Sequence, residues 1–212
     1  MPKVSQSHLH ARRQHILDAA IECFSRQGFH PTTMQDIIRE SGLSSGAIYT
    51  YFASKEELIE AIAERRHARE LALIQTAGIE GDTTITIERL IQSFFELLIG
   101  PKERKERRLA IQLWGEALRN PRILRSVQKG VEEPRKMLVK LLQQARDQGD
   151  SLPDCDPEAM ARVMIAVFQG LVLQLAWDRS IEVKPLLEVV RKMIIGTYLD
   201  DLRIHGRGRN RT

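Results

Sequence analysis

Cysteine is scarce: the 212 residues hold two, Cys23 and Cys155. With no CxxC and no nearby histidine pair, neither a disulfide framework nor a zinc site is signalled, and no metal site is expected. Long apolar runs are missing too. The longest uncharged apolar stretch, Val163 to Trp177, has 15 residues, short of the roughly 20 that cross a bilayer, so it reads as a buried helix and no membrane partner is expected. Met1 to Arg13 is polar, with Lys3, Arg12 and Arg13, and has no apolar core of a secretory signal, so export is not expected. Alternating β-branched runs joined by hairpin dipeptides do not occur, which argues against a sheet. No GxSxG, HExxH, P-loop or GxGxxG is present. Four of the six histidines, His8, His10, His15 and His30, crowd into the first thirty residues without matching carboxylates. Neither catalysis nor a bound cofactor is expected.

A basic body is also lacking. Lys plus Arg is 32 against 28 Asp plus Glu, giving +4, but Arg203 to Thr212 hold four arginines and no acid, so the rest of the chain is neutral. The excess charge is a tail of disordered character, 204–212, and any stronger basic patch must be local. Hydrophobic residues make up 42%, enough for a sound core.

What is present is helical periodicity throughout, and the fold class read from it is all-α. A first helix covers about Arg12 to Gln27, with Ile16, Leu17, Ala20, Ile21 and Phe24 on one stripe and Gly28 beyond its end. A short helix runs from Met34 to Ser41, with Thr33 as cap and Asp36 near its positive end. Gly42 turns the chain, and Ser44 caps a third helix from Ser45 to about Phe52. Ser54 and Glu57 form a capping box that opens a long helix from Lys55 to about Gln75. Further helices are expected at Thr84–Ile99, Glu103–Arg119, Ile123–Gln148 with a kink at Pro134, Asp156–Asp178, and from Lys184 to about Arg203.

Two short helices separated by a glycine turn, the second starting with small polar residues, form the pattern of a helix-turn-helix. A major groove about 12 Å wide admits one helix, and small residues in its first turn allow close backbone approach. The run Gly42-Leu43-Ser44-Ser45-Gly46-Ala47-Ile48-Tyr49-Thr50-Tyr51-Phe52-Ala53-Ser54-Lys55 resembles the DNA-binding domain of the TetR family of bacterial transcriptional regulators. Ala19-Ala20, Phe24, Gly28-Phe29, Thr32-Thr33 and Ile37 extend the likeness to about fifty residues.

The resemblance implies an N-terminal three-helix DNA-binding domain in residues 1–55 and a larger helical effector-binding and dimerisation domain in 56–203. It implies double-stranded operator DNA as partner, a cytoplasmic, nucleoid-associated location, and contacts from Thr33, Ser44, Ser45, Gly46, Tyr49, Thr50, Tyr51 and Lys55. Thr33, Tyr49, Tyr51 and Lys55 would reach phosphates, Ser45 and Gly46 would lie against the groove or backbone, and Thr50 would face bases. Ser45 stands where many of the family carry a longer or charged side chain, and Tyr51 where many have His. Thr33 and Ser44 would serve as helix caps in any protein. Arg12 and Arg13 are either an arm to the DNA or a solvated pair.

The remaining residues suggest a homodimer seam and an effector site. The apolar helix Val163 to Trp177 and the stripe Leu186 to Tyr198 would pair with their copies in a four-helix interface. A small, mostly apolar effector would fit a lining of Phe94, Phe95, Leu98, Trp114, Leu118, Met137, Leu141, Phe168 and Trp177, each of which is equally at home in an ordinary core. Glu116 beside Trp114 either holds a cation or pairs with Arg119. The expected function is a ligand-released repressor on a palindromic operator. The competing reading is an architectural, site-blocking DNA-binding protein without an effector.

Overall fold

A computed structural model of the chain describes residues 6–76, 83–96, 98–99, 101–148 and 155–195. Among the described residues there are nine helices and no strand: α1 Gln6–Gln27, α2 Met34–Ser41, α3 Ser45–Tyr49, α4 Lys55–Thr76, α5 Thr83–Glu96, α6 Pro101–Ala117, α7 Pro121–Gln148, α8 Pro157–Trp177 and α9 Val183–Ile195. They fall into two compact units, the first within Met1–Ala68 and Pro101–Gly130, the second within Arg69–Gly100 and Val131–Thr212. The first unit therefore takes in α6 and the start of α7, and the position expected to end the DNA-binding domain, residue 55, lies inside it.

In the first unit, α1 begins six residues before its expected start at Arg12. No glycine or proline interrupts residues 6–11, so the helix continues through exposed positions that carry no apolar stripe. Ile16, Leu17, Ala20, Ile21 and Phe24 are buried as the stripe requires. Gly28, at φ +93°, ends α1, and its N–H donates to Phe24 O at 2.8 Å. Thr32 Oγ1 then donates to Gly28 O at 2.7 Å and fixes the turn.

The caps of α2 and α3 stand where the sequence puts them. Thr33 and Asp36 form a reciprocal capping box, Gly42 takes the left-handed conformation at φ 66°, and Ser44 accepts from Ala47 N–H. Helix α3 stops at Tyr49 rather than at Phe52. The amides of Tyr51 and Phe52 both converge on Ile48 O, at 2.9 and 3.0 Å, and this turn keeps Phe52 in the core with Ile48. At the start of α4, Ser54 Oγ accepts from Glu57 N–H at 3.3 Å, while Glu57 Oε2 reaches one residue further back than expected and accepts from Ala53 N–H at 2.8 Å. The core of this unit joins α1 to α4 with Leu109, Leu113 and Ala117 of α6 and Ile123 of α7.

In the second unit, α5 ends at Glu96, before the expected Ile99, as Leu98 and Ile99 turn back onto Phe95 O and Glu96 O. Helix α7 runs unbroken through Pro134. Asp156 caps α8, with side-chain oxygens accepting from Glu158 N–H and Ala159 N–H. Helices α5 and α9 pack together, and Arg191 reaches Glu88 at 3.0 Å. Arg135 is bracketed by Glu132 and Glu158. Residues 196–203 of the expected last helix and the tail 204–212 lie outside the described residues.

Candidate nucleic-acid interface

The eight expected contact residues lie on or beside α2, α3 and the start of α4, and the structure gives them two different states. Thr33, Ser44, Thr50 and Lys55 already hold partners within the chain. Thr33 Oγ1 donates to Asp36 Oδ2 at 2.7 Å and accepts from Asp36 N–H at 3.2 Å. Asp36 Oδ2 also accepts from Thr33 N–H at 2.9 Å. The main-chain and hydroxyl bonds from Thr33, in that order, hold the Asp36 carboxyl below the usual carboxylate range. Ser44 Oγ accepts from Ala47 N–H at 3.3 Å, and Thr50 Oγ1 donates to Gly46 O at 2.8 Å.

Lys55 is the most heavily engaged. Its ammonium donates to Phe29 O, His30 O and Thr32 O at 2.9, 3.2 and 3.0 Å, so its three N–H bonds meet three carbonyls of the α1–α2 turn. The hydroxyls of Ser45, Tyr49 and Tyr51, in contrast, make no hydrogen bond among the described residues. Ser45, Gly46, Tyr49 and Thr50 are exposed, and nothing lies within 4 Å of where a Cβ on Gly46 would stand. Behind them Ile48 and Phe52 are buried. The arrangement presents a short helix with small residues and free hydroxyls outward, on a rigid apolar base.

Two further groups brace this surface. Arg13 places its guanidinium 5.0 Å from the centre of the Phe52 ring, so it serves the core of the motif. His15 Nε2 lies 2.8 Å from Ser41 O and ties α1 to the end of α2.

Sequence reasoning missed Gln112 of α6. Its Oε1 accepts from Phe29 N–H at 2.8 Å, and its Nε2 donates to Phe24 O at 3.3 Å. The turn after α1 is thus held by Lys55 on one side and Gln112 on the other. The sequence signal was faint: an uncharged amide on a helix whose neighbours Leu109 and Leu113 are buried.

The residues expected to line an effector site are divided. Trp114 and Leu118 belong to the first unit, and Phe94, Leu98, Met137, Leu141, Phe168 and Trp177 to the second. Phe94 and Phe168 meet edge to face with centroids 5.2 Å apart. Leu98 and Leu141 are buried, while Phe95, on the same helix as Phe94, is also buried. Leu118 is 86% exposed and Trp177 73% exposed. Both sit at helix ends, so neither lines an interior of this chain, contrary to their place in the expected lining. Glu116 faces His30 at 3.3 Å rather than pairing with Arg119.

On the expected dimer seam, Val163 and Trp177 of α8 and Val189 and Met193 of α9 are exposed. Tyr198 lies outside the described residues. Helix α8 as a whole, at 21 residues, is longer than its uncharged stretch and has the length and composition of a membrane span, with only 22% of its most apolar window buried.

Residues 16–62 match the family described as bacterial regulatory proteins, tetR family, and residues 86–197, more than half the chain, match the BetI-type transcriptional repressor C-terminal family. The HTH-type transcriptional regulator UidR of Escherichia coli K12 is 26% identical over 191 residues, covering 90% of this chain and 95% of that protein. The solved structure of Salmonella enterica GusR superposes with a TM-score of 0.72 at 26% identity, covering 92% of this chain and 99% of that one. A SmeT–triclosan complex superposes with a TM-score of 0.71 at 25% identity, covering 86% of this chain and 90% of that one.

Proposed function

The chain belongs to the TetR family of bacterial regulatory proteins, and from that premise we propose that it is a repressor that binds an inverted-repeat operator as a homodimer and releases it on binding a small, mostly apolar molecule. The observation that carries the DNA-binding part is the outward face of α3. Ser45, Tyr49 and, just beyond, Tyr51 offer hydroxyls without partners in the chain, and Gly46 leaves the backbone open to close approach. Hydroxyls suit phosphate oxygens, and such contacts fix register without reading sequence.

Thr33 and Ser44 act as caps that hold these groups in place. Lys55 contributes its charge from within the carbonyl cluster of Phe29, His30 and Thr32. The exposed apolar residues of α8 and α9 support a two-fold partner, because a second copy would cover Val163, Trp177, Val189 and Met193. The effector would sit in the second unit beside Phe94 and Phe168, with Leu98, Met137 and Leu141 as its apolar surroundings. A triclosan-bound relative supports an apolar ligand class. Release then requires that the effector bind the DNA-free form more tightly than the DNA-bound form.

Selection from a randomised duplex library with purified full-length protein, at two salt concentrations, tests the reading. A recurring palindrome, bound with two protomers, supports it. Binding that is sequence-blind at both salts would put the architectural reading in its place. Tyr49→Phe should weaken every bound sequence alike with unchanged thermal unfolding; unaltered affinity would remove Tyr49 from the contact set.

A further inference from the structure

From Ser44 to Thr50 the chain offers only Ser, Ser, Gly, Ala, Ile, Tyr and Thr. The side chains that pair bidentately with guanine or adenine edges, arginine, lysine, asparagine and glutamine, are absent from α3 and its caps. Hydroxyl contacts such as those of Ser45 and Tyr49 are tolerant of the base they meet. Ile48 is buried and so removed from the outer face, and Ala47, half-buried, is less open than its exposed neighbours. Thr50 remains, exposed at the end of the helix. Its Oγ1 donates back along the helix to Gly46 O at 2.8 Å. With the hydroxyl turned onto the backbone, the Cγ2 methyl of this β-branched side chain is the group left to face outward.

We infer that Thr50 is a specificity-determining residue and that its methyl recognises the C5-methyl of a thymine in each half-site. The inference rests on the reading of α3 as the helix that enters the major groove. Thymine alone of the four bases presents a methyl there, so an apolar contact at that point discriminates where the surrounding hydroxyls do not. The remaining selectivity of the operator then comes from DNA shape and deformability, which need no side chain on the base edge.

The test uses the full-length protein and the operator recovered from a randomised duplex library. Each thymine is replaced in turn by deoxyuridine, which removes the C5-methyl and nothing else. One symmetry-related pair of replacements is expected to weaken binding by about fifteenfold, or about fourfold for each buried methyl. Thr50→Ser keeps the bond to Gly46 O and loses the methyl; it should bind more weakly by the same factor and be indifferent to uracil at that pair. Thr50→Val keeps a methyl and loses the hydroxyl; it should remain sensitive to uracil there. Matching thermal unfolding of Thr50→Ser and the parent separates lost recognition from lost fold. The inference is overturned if no uracil replacement weakens binding, if Thr50→Ser stays as sensitive as the parent, or if Thr50→Val loses its sensitivity. Failure to enrich any sequence overturns the groove-entering role of α3 itself, an outcome distinct from an operator that is bound but indifferent to its methyl groups.

Discussion

Gln112 accepts a hydrogen bond from Phe29 N–H at 2.8 Å, across 83 residues of sequence, and returns one to Phe24 O at 3.3 Å. A single amide thus satisfies a donor and an acceptor at the point where α1 ends and the chain turns toward α2. Gln112→Ala leaves both groups without their partner, which costs about 1–3 kcal/mol for two such bonds. Gln112→Glu retains the acceptor and loses the donor, and should fall between the two in urea unfolding. An alanine variant with the parent's midpoint would show that water replaces the amide.

Gly28 and Gly46 should respond in opposite ways to alanine. Gly28 sits at φ +93°, and an added Cβ would lie 3.5 Å from Gln112 Oε1. Gly28→Ala is expected to destabilise by about 1–2 kcal/mol from the left-handed backbone alone. Gly46 has ordinary helical geometry and open space around it, so Gly46→Ala should be neutral or stabilise by up to about 1 kcal/mol. The same change should weaken operator binding, because the new methyl stands on the surface proposed to approach DNA. Thermal unfolding and operator titration on both variants check the pair; a Gly46→Ala protein with parental affinity removes Gly46 from the interface.

The small elements around these glycines were legible because their signals are local. Thr33, Asp36, Gly42 and Ser44 each act within four residues, and all four cap or turn α2 and α3 as the sequence indicates. The end of α3 was not legible to the residue: Phe52 is buried with Ile48 whether the helix continues or not, and only the two amides meeting on Ile48 O show that it stops at Tyr49. The grip of Lys55 and Gln112 on the α1–α2 turn spans 23 to 88 residues and leaves no periodic trace. The same lack of local signal explains Leu118 and Trp177. Apolar character in a helical pattern gave no hint that helix ends would leave them on the surface.

Asp36 makes α2 sensitive to acid. Its carboxyl is held below the usual range by the main-chain and hydroxyl bonds from Thr33. A carboxyl whose folded value lies below its unfolded value of about 3.9 contributes stability above that pH, and loses the contribution as the pH falls through the folded value. Asp36→Asn should therefore melt below the parent at pH 7, with the gap narrowing at pH 3. An equal gap at both pH values would mean that ionisation of Asp36 plays no part in the cap.

Lys55 holds the α1–α2 turn, and the role toward DNA proposed for it is separable from that one. Removing its ammonium leaves Phe29 O, His30 O and Thr32 O without their shared donor. Lys55→Ala should lower the urea midpoint and also reduce the slope of log affinity against log salt by about one unit. Lower stability with an unchanged slope would confine Lys55 to the turn.

The exposed apolar residues of α8 and α9 are the proposed two-fold seam. Val163 is 54% exposed and Met193 51% exposed, alongside Val189 and Trp177, and apolar side chains left open on two helices are candidates for cover by a partner. A carboxylate placed in a two-fold seam enters it twice, once from each protomer, so every such substitution brings two charges into an apolar setting. Val163→Glu and Met193→Glu should therefore shift the protein to monomer in light scattering while α1 to α3 keep their fold. Operator affinity should fall with dimerisation, because two recognition helices must meet two half-sites about 34 Å apart or a multiple of it. If both variants stay dimeric, the seam lies elsewhere and the exposed face of α8 needs another cover.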